Sequence, residues 1–352
     1  MCCLTHISIG QSSFTDPLEI KFKKLQDDIY LAYRPDPLRF WVEGNVLIII
    51  NDNDVVVVEG SGTPRSAQAV IAYIRQLTDK PVAYLINSHG HGDHTIGNQE
   101  YREAYPGVEI IAHEGTREYI AGRGYNYVDE IAQSTESRKK NGEEEIARLQ
   151  AEGKPENKPV VENLVQYYRH DIDVRQAEYK KVTRTPPTLI VNENLRLYRG
   201  DRIIDILHIG EGNTASDLIV FLPKERIVCT GDIITEPVPY GFARNPFTWL
   251  QTLRRLAEFD FDTLIPGHGE VQTGKAYLQR FMRLFESLRG QVASATTSGL
   301  DLEGVRKKVD LSAFNKEFSG DDPVAQYYFD QYFTIPAVER ALNQYKLQQG
   351  RQ

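Results

Sequence analysis

The residues best suited to chemistry lie in one short run, from His89 to His94. This run places three imidazoles and one carboxylate within six residues. Imidazole and carboxylate ligands suit zinc and its first-row neighbours. Side chains two apart in an extended segment point the same way, so His89 and His91 are expected to bind one ion. Asp93 and His94 follow the small residue Gly92 and are expected to turn toward a second ion. Two ions about 3.5–4 Å apart can share a hydroxide and make it a nucleophile near neutral pH.

Two later positions are candidates for the same centre. Asp232 comes just after the hydrophobic run that ends in Cys229, and His268 comes just after a short apolar segment. Glycine lies beside both residues, and glycine permits close backbone approach and unusual dihedral angles. Either position alone is more typical of a turn than of a metal ligand. Together with the run from His89 to His94, they predict one cluster of metal-ligating side chains.

The bulk composition is that of an ordinary globular protein. The chain has 352 residues, of which 41% are hydrophobic and 26% charged, with a net charge of −8 and a pI of about 5.6. This acidity argues against nucleic acid as the main partner, because phosphate contacts need basic patches. No apolar stretch approaches the ~20 residues of a membrane span, so no membrane partner is expected. The expected partner is a small-molecule substrate, and the sequence does not specify the oligomeric state.

Cysteine use and the first residues bear on the compartment. The three cysteines, Cys2, Cys3 and Cys229, do not suggest a disulfide framework, which favours a reducing compartment. The first ten residues lack the basic region and apolar core of a signal peptide. We therefore expect a cytoplasmic location.

Strand and helix patterns alternate around the run that starts at His89. An opening strand is expected within residues 18–34. Two runs rich in Val and Ile, at 46–50 and 55–58, are separated by a polar turn and predict a strand pair. Residues 66–79 carry apolar positions at helical spacing, and a strand at 82–86 leads into the metal-type run, where functional loops are often found. Further strands are expected at 108–112, 188–191, 195–198, 203–209, 218–222, 226–229 and 262–265, and helices at 247–258, 275–296 and 335–348.

Residues about 115–185 differ in character from the rest. They are rich in Lys, Glu and Gln with sparse apolar positions, and they predict a charged helical insertion with a loop near 153–159. We expect solvated surface helices there; the alternative is a role in covering the substrate cleft. The predicted organisation is one domain over 18–298 that contains the insertion, and a helical C-terminal extension over 299–352 packed on it.

The chain resembles the metallo-β-lactamase superfamily over roughly residues 25–270. The matching motifs are the run from Ser88 to His94, then Gly-Asn213-Thr, Thr-Gly-Asp232 and Pro-Gly-His268-Gly, in the family's order. The resemblance implies an α/β (α+β) fold, a four-layer αββα sandwich with metals between the edge loops of its two sheets. The helical insertion and a helical C-terminal tail would be added to that sandwich.

The resemblance also implies a ligand set for two zinc ions, although iron and manganese suit the same groups. His89 and His91 would bind the first ion, Asp93, His94 and His268 the second, and Asp232 would bridge both. Asp93 and Asp232 would be the catalytic carboxylates, Asp93 by orienting the hydroxide and handling a proton.

Asn213 departs from the family pattern, which usually has a third histidine of the first site there. An amide oxygen is a weaker zinc ligand than imidazole. Three outcomes are open: the site fills with Asn213 or water in the gap, it stays half-empty, or another residue substitutes. The nearest histidine is His208, which we expect to have a structural role.

Several residues near these motifs have two open interpretations each. Glu59 either orients a ligand, as an aspartate does in relatives, or is a surface turn residue. Tyr240, Phe242 and Trp249 either wall the pocket or belong to the core. His113 is expected to be structural and His170 solvated.

The leading functional hypothesis is a metal-dependent hydrolase that uses a metal-bound hydroxide on a small ester, lactone, lactam or thioester. A β-lactamase proper is the nearest competing hypothesis, but most lactamases of the superfamily lack the bridging aspartate. A mononuclear iron oxidoreductase, a nucleic-acid-processing member and an inactive scaffold are three more hypotheses that the motifs leave open. The substrate depends on pocket walls that no motif specifies.

Overall fold

The computed structural model describes residues 16–39, 41–243 and 245–349, and its strands form two sheets. In the first sheet, seven strands lie side by side in chain order. They are β1 (Lys21–Gln26), β2 (Ile29–Tyr33), β3 (Val46–Ile50), β4 (Val55–Val58), β5 (Val82–Ile86), β6 (Glu109–Ala112) and β7 (Leu189–Ile190). The second sheet has the six strands β8 (Asn194–Arg199), β9 (Arg202–Leu207), β10 (Ile219–Leu222), β11 (Ile227–Cys229), β12 (Thr263–Ile265) and β13 (Gln272–Thr273), in the order β13-β12-β11-β10-β9-β8.

The two sheets face each other because each has strands that are hydrophobic on both sides. In β3, Leu47 and Ile49 point to a core shared with the second sheet, and Ile48 and Ile50 point to a core on the outer side. This follows from the period of two along a strand. The second sheet does the same, since Val220 of β10 faces the shared core and its neighbour Ile219 faces the other side.

Helices cover the outer face of the first sheet. They are α1 (Pro64–Leu77) and α3 (Asn98–Ala104), with the single-turn helix α2 (Gly92–Thr95) between them in sequence. Thr63 begins α1 by accepting a hydrogen bond from the Ser66 amide, and Pro64 occupies its first turn. Buried positions at helical spacing then pack α1 on the sheet.

A helical segment follows β6, as the composition of residues 115–185 predicts. It comprises α4 (Glu114–Ala121), α5 (Asn126–Gln133), α6 (Glu136–Ala151), α7 (Asn157–Gln166) and α8 (Ile172–Tyr179), with a short 3-10 turn at Arg123–Tyr125 and a π-helical stretch at Tyr167–Asp171. Its apolar side chains form two small clusters, one shared with Leu18, Trp41 and Ile96 and the other in contact with Val324 and Tyr327. The turn between α6 and α7 lies at the position expected for the loop.

The second sheet is covered by α9 (Pro246–Leu256), α10 (Ala276–Thr297) and α14 (Ile335–Gln349). Between α10 and α14 lie α11 (Leu302–Lys308), α12 (Ser312–Ser319), α13 (Pro323–Phe329) and a π-helical stretch, Asp330–Thr334. Side chains from all of these helices share one hydrophobic cluster with the sheet. The layers therefore run helix, sheet, sheet, helix, and the expected αββα sandwich is confirmed.

Two expectations need correction. The opening segment forms a hairpin of two strands, β1 and β2, because Asp28 takes a positive φ of 62° and turns the chain back. The tail contains α11 to α13 in addition to the predicted final helix; these helices are too short to show a clear period in the sequence.

No helix in the described ranges is long and apolar enough to cross a membrane. Cys229 is buried and unpaired, whereas Cys2 and Cys3 lie outside the described residues.

Candidate metal centre

The predicted ligands meet where strands of both sheets end. The run from His89 follows β5, Asp232 follows β11 and His268 follows β12. Strand β5 is parallel to its neighbours β4 and β6, and β11 is parallel to β12, so their carboxyl ends lie at common edges. The extended segment ends at His91, which caps α2, so that Asp93 and His94 lie on a helical turn.

One group of candidate ligands contains His89, His91 and Asp232. Their ligand atoms all lie within 4.8 Å of one another. The Nε2 atom of His89 is 3.5 Å from Oδ2 of Asp232, and the rings of His89 and His91 have centroids 4.6 Å apart. Two imidazoles and a carboxylate thus converge from two different sheets, and this donor set suits zinc.

A second group contains Asp93, His94, Asp232 and His268, again with ligand atoms within 4.8 Å of one another. Oδ1 of Asp232 lies 3.2 Å from Nε2 of both His94 and His268. Oδ2 of Asp93 lies 3.1 Å from Nε2 of His268. Asp232 therefore belongs to both groups and turns a different oxygen to each.

The hydrogen bonding of this cluster is incomplete in a way that fits a metal. Among the described residues, Nε2 of His89 is buried and has no hydrogen-bond partner, and Oδ1 of Asp232 is buried and makes no well-directed hydrogen bond, although two imidazole nitrogens lie 3.2 Å from it. A buried polar atom without a partner costs about 1–3 kcal/mol. Both atoms face the other candidate ligands, and a cation between them would satisfy them.

The charges within the cluster perturb one another. Burial disfavours a charge on Asp232, but the His268 and His94 imidazoles outweigh it and hold the pKa of that carboxyl well below its usual range. Burial and the neighbouring His89 lower the pKa of His91 to about 4. For His268, burial is outweighed by the Asp232 and Asp93 carboxylates, which raise its pKa to about 9. The cluster thus keeps its carboxylates ionised and attracts positive charge.

Asn213 lies at the corner of the first group. Its Nδ2 atom donates to Oδ2 of Asp232 at 3.0 Å and is 3.4 Å from Nδ1 of His91. Its Oδ1 atom is buried without a hydrogen-bond partner among the described residues. The amide therefore stands where a third ligand is expected. His208 does not replace it, because Nδ1 of His208 hydrogen-bonds the Asp217 carbonyl at 2.9 Å, which is the structural role expected for it.

Residues behind the candidate ligands hold the imidazoles. Glu59 is buried rather than a surface turn: its Oε2 accepts the Ser88 amide at 3.2 Å, and its Oε1 is 3.5 Å from Nδ1 of His94. Ser88 Oγ lies 2.9 Å from Nδ1 of His89, and His268 Nδ1 donates to the Glu43 carbonyl at 2.9 Å. Such contacts orient metal-binding imidazoles.

Sequence reasoning missed Glu43 and Asp217. Glu43 carries no recognisable motif. Asp217 is fully buried, and its Oδ2 accepts both the amide and the hydroxyl of Thr214, at 2.6 and 2.7 Å. Asp217 thereby holds the loop that presents Asn213. Asp217 could have been found from the sequence, because it lies four residues after Asn213 in the same loop as the Gly-Asn213-Thr motif.

Aromatic side chains flank the cluster. The ring of Tyr240 is centred 5.4 Å from that of His268, and the ring of Tyr119, in α4, is 6.1 Å from that of His91. Trp249, a residue of α9, is different. It has no exposed surface, its indole donates to the Ile233 carbonyl at 3.2 Å, and it packs in the hydrophobic core. Of the two interpretations open for Trp249, the core one applies, because the side chain lies on the inward face of α9.

Two more histidines lie outside the cluster. His113 caps α4 by accepting the Gly115 amide at 3.0 Å, as expected of a structural residue. His170 is exposed in the helical segment.

Comparison with curated proteins finds hydrolases. A linear primary-alkylsulfatase of a Pseudomonas species is 20% identical over 290 residues, which are 78% of this chain and 51% of that protein. A hydroxyacylglutathione hydrolase of Gloeobacter violaceus is 36% identical over 81 residues, or 21% of this chain and 32% of that protein. The chain thus spans about half, or less, of the length of these relatives.

Comparison with solved structures finds the same fold. The inverting sec-alkylsulfatase Pisa1 from Pseudomonas sp. matches 93% of this chain and 50% of its own, with a TM-score of 0.62 and 17% identity. The DIM-1 metallo-beta-lactamase matches 76% of this chain and 98% of its own, with a TM-score of 0.50 and 15% identity. The family model of the metallo-beta-lactamase superfamily matches residues 39–268, well over half of the chain. The chain therefore belongs to the metallo-β-lactamase superfamily.

Proposed function

We propose that this chain is a two-metal hydrolase, with zinc as its metal, that cleaves a small ester, lactone, lactam or thioester. The observation that carries the proposal is the position of Asp232. Its Oδ2 faces His89 at 3.5 Å, and its Oδ1 faces His94 at 3.2 Å. A carboxylate shared in this way suits two ions at the short separation used by binuclear hydrolases.

The roles of the ligands follow from the two groups. His89, His91 and Asp232 would hold the first ion, and the second would be held by Asp93, His94, Asp232 and His268. Bound ions would supply Lewis acidity, which activates water near neutral pH and polarises the group under attack.

Asp93 is the carboxylate that substrate and water reach. Its side chain is 17% exposed, whereas that of Asp232 is 1% exposed. Asp93 therefore orients the attacking water and takes part in moving its proton, while Asp232 stays behind the ligands and holds the two groups together. A carboxylate that accepts a proton must start ionised. Burial opposes that charge, but the neighbouring His94 holds the pKa of Asp93 well below its usual range, so the carboxylate is ionised and can accept a hydrogen bond from the attacking water.

The substrate class is narrowed by the shared aspartate and by the relatives. The shared aspartate favours ester, lactone or thioester cleavage over a dedicated β-lactamase. The curated alkylsulfatase adds sulfate esters to the compounds worth testing, and the hydroxyacylglutathione hydrolase adds thioesters. A β-lactam belongs in the same test, because the same nucleophile would attack a strained amide.

The proposal is tested by metal analysis and a substrate panel. The purified protein is assayed with and without added zinc on an aryl ester, a lactone, a thioester, an alkyl sulfate and nitrocefin. Zinc-dependent turnover of at least one compound is expected, with a loss of at least about 100-fold in Asp232→Asn. The matched control is Asp205→Asn. Asp205 is also buried, but its carboxylate forms an ion pair with Arg196 at 2.6 Å and is not one of the candidate ligands. Full activity in Asp232→Asn, or none in the zinc-loaded protein on any compound, would count against the proposal.

A further inference from the structure

The segment from Tyr240 to Phe242 runs along the edge of the candidate metal centre. The ring of Tyr240 is centred 5.4 Å from that of His268 and 5.7 Å from that of Phe242. Between them, the Cα of Gly241 faces the opposite side, toward α14, because a Cβ there would lie 2.9 Å from Cβ of Ala337. Phe242 therefore lies on the same side of the segment as Tyr240, and the ring of Tyr240 lies between it and His268.

Phe242 is unusually exposed for its size. Its relative exposure is 38%, and only three other large hydrophobic side chains in the described ranges are as exposed or more so. The ring still has a firm backing, since it packs on Tyr240 and its centroid is 5.8 Å from that of Tyr332. Tyr332 in turn accepts the Gly241 amide through its carbonyl at 2.7 Å, which anchors the segment to the C-terminal helices. The exposed face of Phe242 is thus rigidly supported.

The opposite side of the cluster is aromatic as well. Tyr119 of α4 lies 6.1 Å from His91 by ring centroids and is partly exposed. Tyr127 of α5 packs so closely that a Cβ at Gly92 would collide with its hydroxyl. The partly exposed ligands His91 and Asp93 therefore lie between aromatic side chains from the helical segment and others from the C-terminal half.

We propose that Phe242, supported by Tyr240 and Tyr332, binds an apolar chain of the substrate. The inference deepens the proposed function and rests on it: the substrate class becomes esters that carry a medium-length alkyl chain on one side of the scissile bond. An exposed aromatic face beside a polar reacting centre gains free energy when an alkyl chain removes it from water. Phe242 is thereby a specificity-determining residue, distinct from the groups that perform the chemistry.

Binding of two carboxylates tests the inference without turnover. Acetate and octanoate are titrated into the zinc-loaded protein by calorimetry. A buried methylene contributes roughly fourfold in affinity, so two or three buried methylenes predict about 30-fold tighter binding of octanoate. Phe242→Ala is expected to reduce this ratio to below about fivefold, and Phe242→Leu to retain most of it, because leucine preserves apolar contact. Tyr198→Ala is the matched control, since Tyr198 is 66% exposed in β8.

The outcomes separate this inference from the proposed function. Equal binding of acetate and octanoate by the wild type, or an equal loss of both ligands in Phe242→Ala, overturns the apolar subsite whatever the protein hydrolyses. A chain-length preference that Phe242→Ala abolishes supports the subsite even if no ester in the panel is cleaved. With an active enzyme, kcat/KM for p-nitrophenyl octanoate relative to the acetate ester is expected to fall about tenfold in Phe242→Ala. An unchanged ratio in that variant overturns the assignment.

Discussion

Replacing Asn213 by histidine is predicted to strengthen the first candidate metal site selectively. Asn213 is 4% exposed, and its Nδ2 lies 3.4 Å from Nδ1 of His91 and 3.0 Å from Oδ2 of Asp232. It already occupies the ligand corner, but a neutral amide is a poorer donor to zinc than imidazole. Four-ligand structural zinc sites gain about 10–16 kcal/mol, or roughly 2.5–4 kcal/mol per ligand. An imidazole in place of the amide is therefore expected to raise first-site affinity about 100-fold.

Competition with a chromogenic chelator, followed by metal counting after desalting, measures this change. The wild-type protein is expected to lose one ion per chain at low chelator concentration and the other at high concentration. Asn213→His should lose both ions only at high concentration, because its second group is unaltered and its first is completed. Asn213→Ala is the control that removes the amide without adding an imidazole, and it should hold its first ion no better than the wild type. Equal retention of two ions by the wild type and Asn213→His would refute the reasoning.

Three further predictions concern the same centre. In Gly267→Ala the new Cβ would overlap Oδ1 of Asp232, so bound zinc should be lost on metal analysis. Gly290→Ala, whose Cβ meets nothing within 4 Å in α10, should instead raise the free energy of unfolding in urea by about 0.5–1 kcal/mol; zinc retention in Gly267→Ala would contradict the packing argument. Asp217→Ala removes the acceptor that holds the loop of Asn213, so we expect a loss of about 1–3 kcal/mol in the same urea experiment. The chelator titration of this variant should show a weaker first site, and an unaltered order of ion loss would speak against that role. Finally, the pKa of His268 in the metal-free protein is raised from 6.5 to about 9, with burial opposing the shift and the Asp232 carboxylate driving it. Because the folded pKa is the higher one, this contribution to stability is complete below pH 6.5 and is lost as the pH rises through about 9. Urea unfolding of the metal-free protein across this range should show that decline, and a flat profile would exclude it.

Much of the fold was predictable because its signals are local. The runs at β3 and β4 are continuous and β-branched, and such strands are buried on both faces. The helical period of α1 and its Thr63-Pro64 start are equally local. The hairpin at Asp28 was missed because it depends on one residue with positive φ. The pair Asp27-Asp28 is a turn signal, because aspartate tolerates positive φ, but aspartate is common in many other contexts and the pair alone does not specify a hairpin.

Part of the candidate site was predictable for a different reason. The ligand types in the run from His89 to His94 restrict the chemistry whatever surrounds them. The contacts that orient those ligands join distant segments: the His268 imidazole donates to the carbonyl of Glu43, 225 positions away. Trp249 and Tyr240 looked equivalent as aromatic neighbours of Asp232, and both belong to the same core cluster, yet of the two it is Tyr240 whose ring also lies beside that of His268. Which aromatic side chain reaches the candidate ligands depends on how α9 and the segment before it pack against the sheet, and sequence spacing alone does not specify that packing.

The sequence by itself determined the family, the donor atoms and the one departure, Asn213, because side-chain chemistry and local spacing carry that information. Only the tertiary structure decided that Asp232 divides its oxygens between two ligand groups and that Asn213 donates to it. It also decided that Phe242 exposes its ring beside Tyr240, whose own ring lies 5.4 Å from that of His268. These relations join β11, the loop before β10 and the segment that precedes α9. They exist only once two sheets pack face to face and bring the ends of their strands together.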